Sequence, residues 1–157
     1  MAKKILFISS TGGHLDELMQ LSPLLDIYDY NIITEKTKQT ESLKEKYKEK
    51  IGFLVYGTKH YPLTYPFKLL YNCFKSLYYY IKFHPDYIIT TGTHTAGPMC
   101  CIGKIFGSRV IYIETFANIC TKTSTGKLIY HIADKFIVQW PTMKKLYPKA
   151  TDGGWIY

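Results

Sequence analysis

Runs with strand-like and helix-like periodicity alternate from one end of the chain to the other, and that alternation admits few folds. Apolar β-type runs fall at Lys4 to Ser9, Tyr30 to Thr34, Ile51 to Tyr56, Asp86 to Thr90, Arg109 to Ile113 and Phe136 to Gln139. Helical patterns separate them at His14 to Leu25, Lys38 to Lys50, Pro66 to Phe83, Ala96 to Phe106 and Gly126 to Asp134. Such an order predicts an α/β protein, a parallel sheet with helices on both faces. A length of 157 residues fits a single domain, 1–157, with a core that needs no disulfide or metal. Gly153 to Tyr157 is read as one further short strand.

Two loops sit where such sheets hold ligands, at the carboxyl ends of strands. One is Ser9-Ser10-Thr11-Gly12-Gly13-His14; the other is Thr91-Gly92-Thr93-His94-Thr95-Ala96-Gly97-Pro98. Each follows a strand and opens a helix, so both are expected to face one cleft. Helix N-termini carry unpaired N–H groups and glycine permits close approach to backbone, which makes phosphate the expected guest. His14, beside a carboxylate-rich first turn (Asp16, Glu17), is a candidate proton acceptor or a residue that caps the turn. Glu114, ending the strand Arg109 to Ile113, reaches the same edge. His94 is open between ligand contact and turn chemistry.

The net charge of +8 rests on lysine, with Arg109 the sole arginine. That pattern disfavours recognition by bidentate arginine forks and excludes nucleic acid as the expected partner; diffuse attraction to anionic surfaces and plain compositional drift both remain open. Cys73, Cys100, Cys101 and Cys120 have neither C-x-x-C spacing nor paired histidines, so neither a metal site nor a disulfide framework is expected, and the thiols read as reduced and cytosolic. The apolar start ends at Ser9, too soon for an export signal. A dinucleotide enzyme is the competing class. Glu35 stands about twenty residues beyond the first loop, as a ribose-binding acid would, but the glycines are adjacent rather than spaced G-x-G-x-x-G.

Taken together, Ser10-Thr11-Gly12-Gly13-His14-Leu15, Thr91-Gly92-Thr93 with Gly97-Pro98, Glu114-Thr115-Phe116-Ala117-Asn118, and Thr125-Gly126-Lys127-Leu128 running into Ala133-Asp134-Lys135-Phe136-Ile137-Val138-Gln139-Trp140 resemble the acceptor-side subunits of two-chain glycosyltransferases. That family includes the eukaryotic subunit anchoring the second GlcNAc transfer onto dolichyl diphosphate, and bacterial capsule and exopolysaccharide proteins described as galactosyltransferase enhancers. The pattern is also similar to the N-terminal half of the transferase that adds GlcNAc to the lipid-linked peptidoglycan precursor. The resemblance implies a Rossmann-like fold equivalent to one half of a GT-B enzyme. It implies a polyprenyl-diphosphate-linked sugar acceptor, no cofactor, and a separate UDP-sugar-binding partner, with UDP-galactose as donor. It assigns His14 and Glu114 as the catalytic residues, His14 as base and Glu114 as the acceptor-side cleft residue that orients the acceptor sugar. Thr11, Gly12, Gly13, Gly92, Thr93, His94, Gly97 and Asn118 would contact the acceptor.

No stretch reaches the roughly twenty apolar residues of a spanning helix. Membrane contact is therefore expected to be peripheral, at the cytoplasmic face of the plasma membrane. The candidate surface lies between Lys59 and Phe83. There Lys68, Asn72, Lys75 and Lys82 form a narrow polar stripe among Tyr71, Phe74, Leu77, Tyr78, Tyr80 and Ile81. Lys68, Tyr71, Phe74, Lys75, Tyr78 and Lys82 suit a lipid headgroup region, while packing of the same helix on the sheet is the other reading.

Overall fold

The computed structural model describes residues 3–57 and 63–157. Residues 59–62, the start of the candidate membrane segment, lie outside the described residues. Seven parallel strands form one sheet: β1 Lys4–Ser9, β2 Asp29–Lys36, β3 Ile51–Val55, β4 Tyr87–Gly92, β5 Arg109–Ile113, β6 Lys135–Val138 and β7 Thr151–Asp152. Their order is β3-β2-β1-β4-β5-β6-β7, every neighbouring pair parallel. This is the expected α/β architecture. The order reverses between β1 and β4, which opens a crevice at their carboxyl ends.

Alternation along the strands divides the core in two. Leu6 and Ile8 pack with Ile33, Ile88, Met99, Tyr112 and Phe136 on one face. Ile5 and Phe7 pack with Leu18, Ile32, Tyr47, Ile89 and Ile113 on the other. With both faces covered, the central strands read as continuous apolar runs.

The helices are α1 Gly13–Met19, α2 Lys38–Glu41, α3 Leu43–Tyr47, α4 Tyr65–Phe83, α5 Ala96–Ile105 and α6 Ser124–Ile129. Three expected helices are shorter or broken. The first stops at Met19, and Pro23 starts a separate 3₁₀ turn, Ser22–Asp26. The charged run Lys38 to Lys50 divides at Ser42: a capping box between Thr37 and Thr40, with the Thr40 hydroxyl also on the Glu35 carbonyl (2.7 Å), starts α2, and α3 follows with Tyr47 turned into the core. The last begins earlier, where Thr123 accepts the Gly126 N–H (2.9 Å), and ends at Ile129. At the chain end the strand is Thr151–Asp152, upstream of the expected Gly153 to Tyr157.

Helix α4 corrects the stripe expected of it. Asn72, Ser76, Tyr80 and Phe83 face inward, whereas Phe67, Leu70, Tyr71, Phe74, Tyr78 and Ile81 face solvent. The reason is the free edge of β3. Asn72 donates to the Val55 carbonyl (2.8 Å) and accepts the Val55 N–H (2.9 Å). Seven residues on, the Tyr79 hydroxyl does the same for Phe53 (3.3 and 3.0 Å). The helix thus closes an edge that would otherwise template association. Asn72→Leu should lower unfolding stability by about 2 kcal/mol and make the protein associate with rising concentration; an unchanged denaturation midpoint with unchanged light scattering would refute this role.

Candidate active site

The two glycine loops meet at the switch point. The Ser10 N–H donates to the Gly92 carbonyl (3.1 Å), and the Thr91 hydroxyl donates to the His14 carbonyl (2.6 Å). Gly12 (φ 80°) and Gly92 (φ 102°) occupy backbone that side chains rarely adopt. At Gly92 a Cβ would also stand 3.2 Å from the Tyr112 hydroxyl and 3.6 Å from the His14 ring. Gly13 and Gly97 differ. Neither has a positive φ, and a Cβ on either would meet nothing within 4 Å. Nothing inside the protein demands glycine there, so close approach from outside is the remaining physical use.

The two histidines are held in opposite senses. His14 Nδ1 lies 2.8 Å from the Thr91 carbonyl, which can only accept, so Nδ1 carries the proton and neutral His14 keeps its Nε2 lone pair free. His94 presents Nε2 to the Gly57 carbonyl at 2.8 Å, with Tyr65 edge-on to its ring. His94 therefore ties the loop after β3 to the loop after β4.

Two carboxylates brace the loops. Glu35, 1% exposed, accepts the Thr11 N–H (3.2 Å) and the Thr95 hydroxyl (2.6 Å). A ribose cannot reach it, which removes the feature that favoured a dinucleotide enzyme. Glu17 accepts the Thr115 hydroxyl (2.7 Å) and the Phe116 N–H (3.0 Å), fastening α1 to the loop after β5.

Glu114 lies beneath the cleft floor. It is 1% exposed, and its oxygens accept the Tyr147 hydroxyl (3.2 Å) and the Thr123 hydroxyl (3.2 Å). Burial pushes its carboxyl above the ordinary range, partly offset by hydrogen bonds from Tyr147, Thr123, the Thr115 backbone and Asn118. A raised folded value means the protonated form is favoured, so stability drawn from Glu114 is present at low pH and lost as pH climbs through that value. The stability of wild type relative to Glu114→Gln should therefore fall as pH rises above the ordinary 4.5, as thermal unfolding at a series of pH values would read; a flat difference would contradict it. Asn118 is held within its own loop by the Thr121 hydroxyl (2.6 Å).

Thr11, Gly12, Gly13, Gly92, Thr93 and His94 thus converge with His14 around the crevice, Gly97 follows in the first turn of α5, and Asn118 sits one loop over. Sequence reasoning missed the bracing by Glu17 and Glu35 and the enclosure of Glu114. Only the Thr123-x-x-Gly126 cap spacing hinted at the last. On α4, Tyr71, Phe74, Tyr78 and Lys82 are exposed and Lys68 and Lys75 half-buried, with the Lys75 ammonium 5.7 Å from the Tyr71 ring. No helix among the described residues is long and apolar enough to cross a membrane.

Residues 58–156 match the family "Oligosaccharide biosynthesis protein Alg14 like". The chain is 26% identical to the UDP-N-acetylglucosamine transferase subunit ALG14 of Mus musculus, over 94% of this chain and 80% of that one. It is 27% identical to the subunit of the same name from Schizosaccharomyces pombe, with the same coverage. Among solved structures it is similar to Acinetobacter baumannii MurG (TM-score 0.73, 19% identity, 89% of this chain and 42% of that one). It is also similar to UDP-N-acetylglucosamine 2-epimerase from Rickettsia bellii (TM-score 0.73, 16% identity, 94% and 42%). At those identities the likeness speaks to the fold, of which this chain spans under half the length of either structure. With the fold and the family match in agreement, the chain belongs to the Alg14-like oligosaccharide biosynthesis family of glycosyltransferase partner subunits.

Proposed function

We propose that this chain is the acceptor-side subunit of an inverting glycosyltransferase of capsular or exopolysaccharide synthesis, working with a separate subunit that binds the UDP-sugar. The observation that carries the reading is His14: its Nδ1–H is committed to the Thr91 carbonyl, and Nε2 is left basic at the crevice between β1 and β4. In the reaction, an acceptor-sugar hydroxyl attacks the anomeric carbon of the donor as Nε2 takes its proton, and the sugar–phosphate bond breaks with the electron pair leaving on UDP. Gly12, Gly13, Gly92, Thr93 and Gly97 let the acceptor diphosphate approach the backbone. Glu114 acts through Thr123 and the start of α6, as a positioning residue, and Asn118 orders the adjoining loop. The outer face of α4, aromatic with lysines at its margins, rests on the cytoplasmic surface of the membrane.

Half of a two-lobed cleft cannot clamp two substrates, so the isolated chain should be inactive and the reconstituted pair active. The test is transfer from UDP-galactose, and in parallel from UDP-N-acetylglucosamine, onto a polyprenyl-diphosphate-linked sugar. Galactose is the donor implied by likeness to the capsule proteins; N-acetylglucosamine is the donor named for the murine and yeast relatives. Turnover by the isolated chain would overturn the two-subunit reading.

A further inference from the structure

Beside the crevice, a cavity of about 490 Å³ lies between α4, α5 and α6. Its walls are Leu69 and Cys73 of α4, Pro98, Cys101 and Ile102 of α5, and Leu128 of α6; among the described residues no Lys, Arg, Asp or Glu lines it. Among the described residues, polar groups border it at Tyr65 of α4, at His94 and Gly97 beside the loop after β4, and at Ser124 and Thr125 where α6 begins. This hollow is not a gap in the core. The core is sealed beneath it by Met99, Cys100 and Gly103, the sheet-facing side of α5, all buried. Helix α5 is therefore apolar on both sides, a pattern that calls for a second apolar surface over its outer face. That face continues beyond the cavity to Ile105 (77% exposed), and α4 presents Leu70 (56%) and Phe74 (65%) alongside.

Among the described residues, the walls offer a free phosphate no countercharge and a sugar few hydrogen-bonding partners. An elongated hydrocarbon with an anionic head fits: head at the loop after β4, chain along α5, exit beside the exposed face of α4. We propose that this groove takes the first isoprene units of a polyprenyl diphosphate, so that the reacting lipid leaves the bilayer before its sugar meets His14. The proposal rests on the acceptor-side reading above and adds to it the lipid subsite. The groove holds the chain by burial of hydrocarbon alone, and its affinity rises with each unit enclosed.

Cys73 and Cys101 report occupancy, and exposed Cys120 is an internal control. The purified chain is treated with N-ethylmaleimide at mildly alkaline pH, and alkylation of each cysteine is followed by peptide mass spectrometry. Geranylgeranyl diphosphate at about ten times its Kd should slow Cys73 and Cys101 about tenfold and leave Cys120 unchanged. Inorganic diphosphate and dodecyl phosphate should not protect. Leu128→Lys, at an exposed rim position, should abolish protection with the circular dichroism spectrum unaltered; Cys101→Phe, filling the groove, should abolish it at Cys73. Absence of protection by geranylgeranyl diphosphate, or equal protection by dodecyl phosphate, overturns the proposal. Transfer by the reconstituted pair without protection of these thiols sinks the groove alone, whereas protection without transfer sinks the acceptor-subunit reading and leaves the groove standing.

Discussion

Replacing His14 by alanine should cut sugar transfer by the reconstituted pair about 10²- to 10⁴-fold, the usual contribution of a positioned general base. Folding should change little, because the substitution forfeits one hydrogen bond, worth about 1 kcal/mol. The expectation comes from the tautomer. A carbonyl cannot donate, so the Thr91 carbonyl 2.8 Å from Nδ1 forces the ring proton onto that nitrogen and leaves the other basic. His94 supplies the contrast within the same molecule. Its Nε2–H is spent on the Gly57 carbonyl and its other nitrogen, Nδ1, faces the Thr93 hydroxyl (3.4 Å), so His94→Asn should cost stability at the junction of two loops and retain most of the transfer rate. Steady-state rates and thermal unfolding of both variants separate the two roles. Full activity in His14→Ala would remove the base and leave the chain as a subunit that only recruits its partner to the lipid.

The largest effect on stability is expected at Gly126. A Cβ there would stand 2.5 Å from Glu114 Oε2, 2.6 Å from Thr123 Oγ1 and 2.6 Å from the Tyr147 hydroxyl. Glu114 and Tyr147 are buried on every side (1% and 0% exposed) and hold one another, so neither can retreat without abandoning a hydrogen bond. Gly126→Ala should therefore lower unfolding stability by about 3 kcal/mol or more. Chemical denaturation reads this directly. Gly97→Ala is the counterpart. It meets nothing within 4 Å, and alanine is the better helix residue by about 1 kcal/mol. Stability should hold or rise while affinity for the lipid-linked acceptor falls. If Gly126→Ala unfolds at the wild-type midpoint, the packing described around Glu114 is wrong.

Much of the fold was legible in the chain itself. Strands buried on both faces declare themselves as short apolar runs, and Arg109–Ile113 was delimited from sequence alone. Helices were less legible where one residue decides the outcome. The run whose charge pattern favoured continuous helix divides at Ser42, while Thr40, tied to the Glu35 carbonyl and to Thr37, fixes where its first part starts. On α4 periodicity grouped Asn72 with Lys68, Lys75 and Lys82 in one polar stripe and left the inward face open, because that rule looks for a buried apolar side. Beside an unpaired strand edge the demand is instead for donors and acceptors, which Asn72 and Tyr79 meet.

What the sequence by itself determined is local: the alternation of strands and helices, the glycine loops at strand ends, and the identity of the groups able to move a proton. Which ring nitrogen of each histidine keeps its lone pair was decided only by tertiary structure, because the deciding carbonyls, Thr91 and Gly57, lie 77 and 37 residues away in the chain. Glu35 and Glu114 follow the same rule. A carboxylate's chemistry depends on who surrounds it and how little water does, and one-dimensional spacing does not record either.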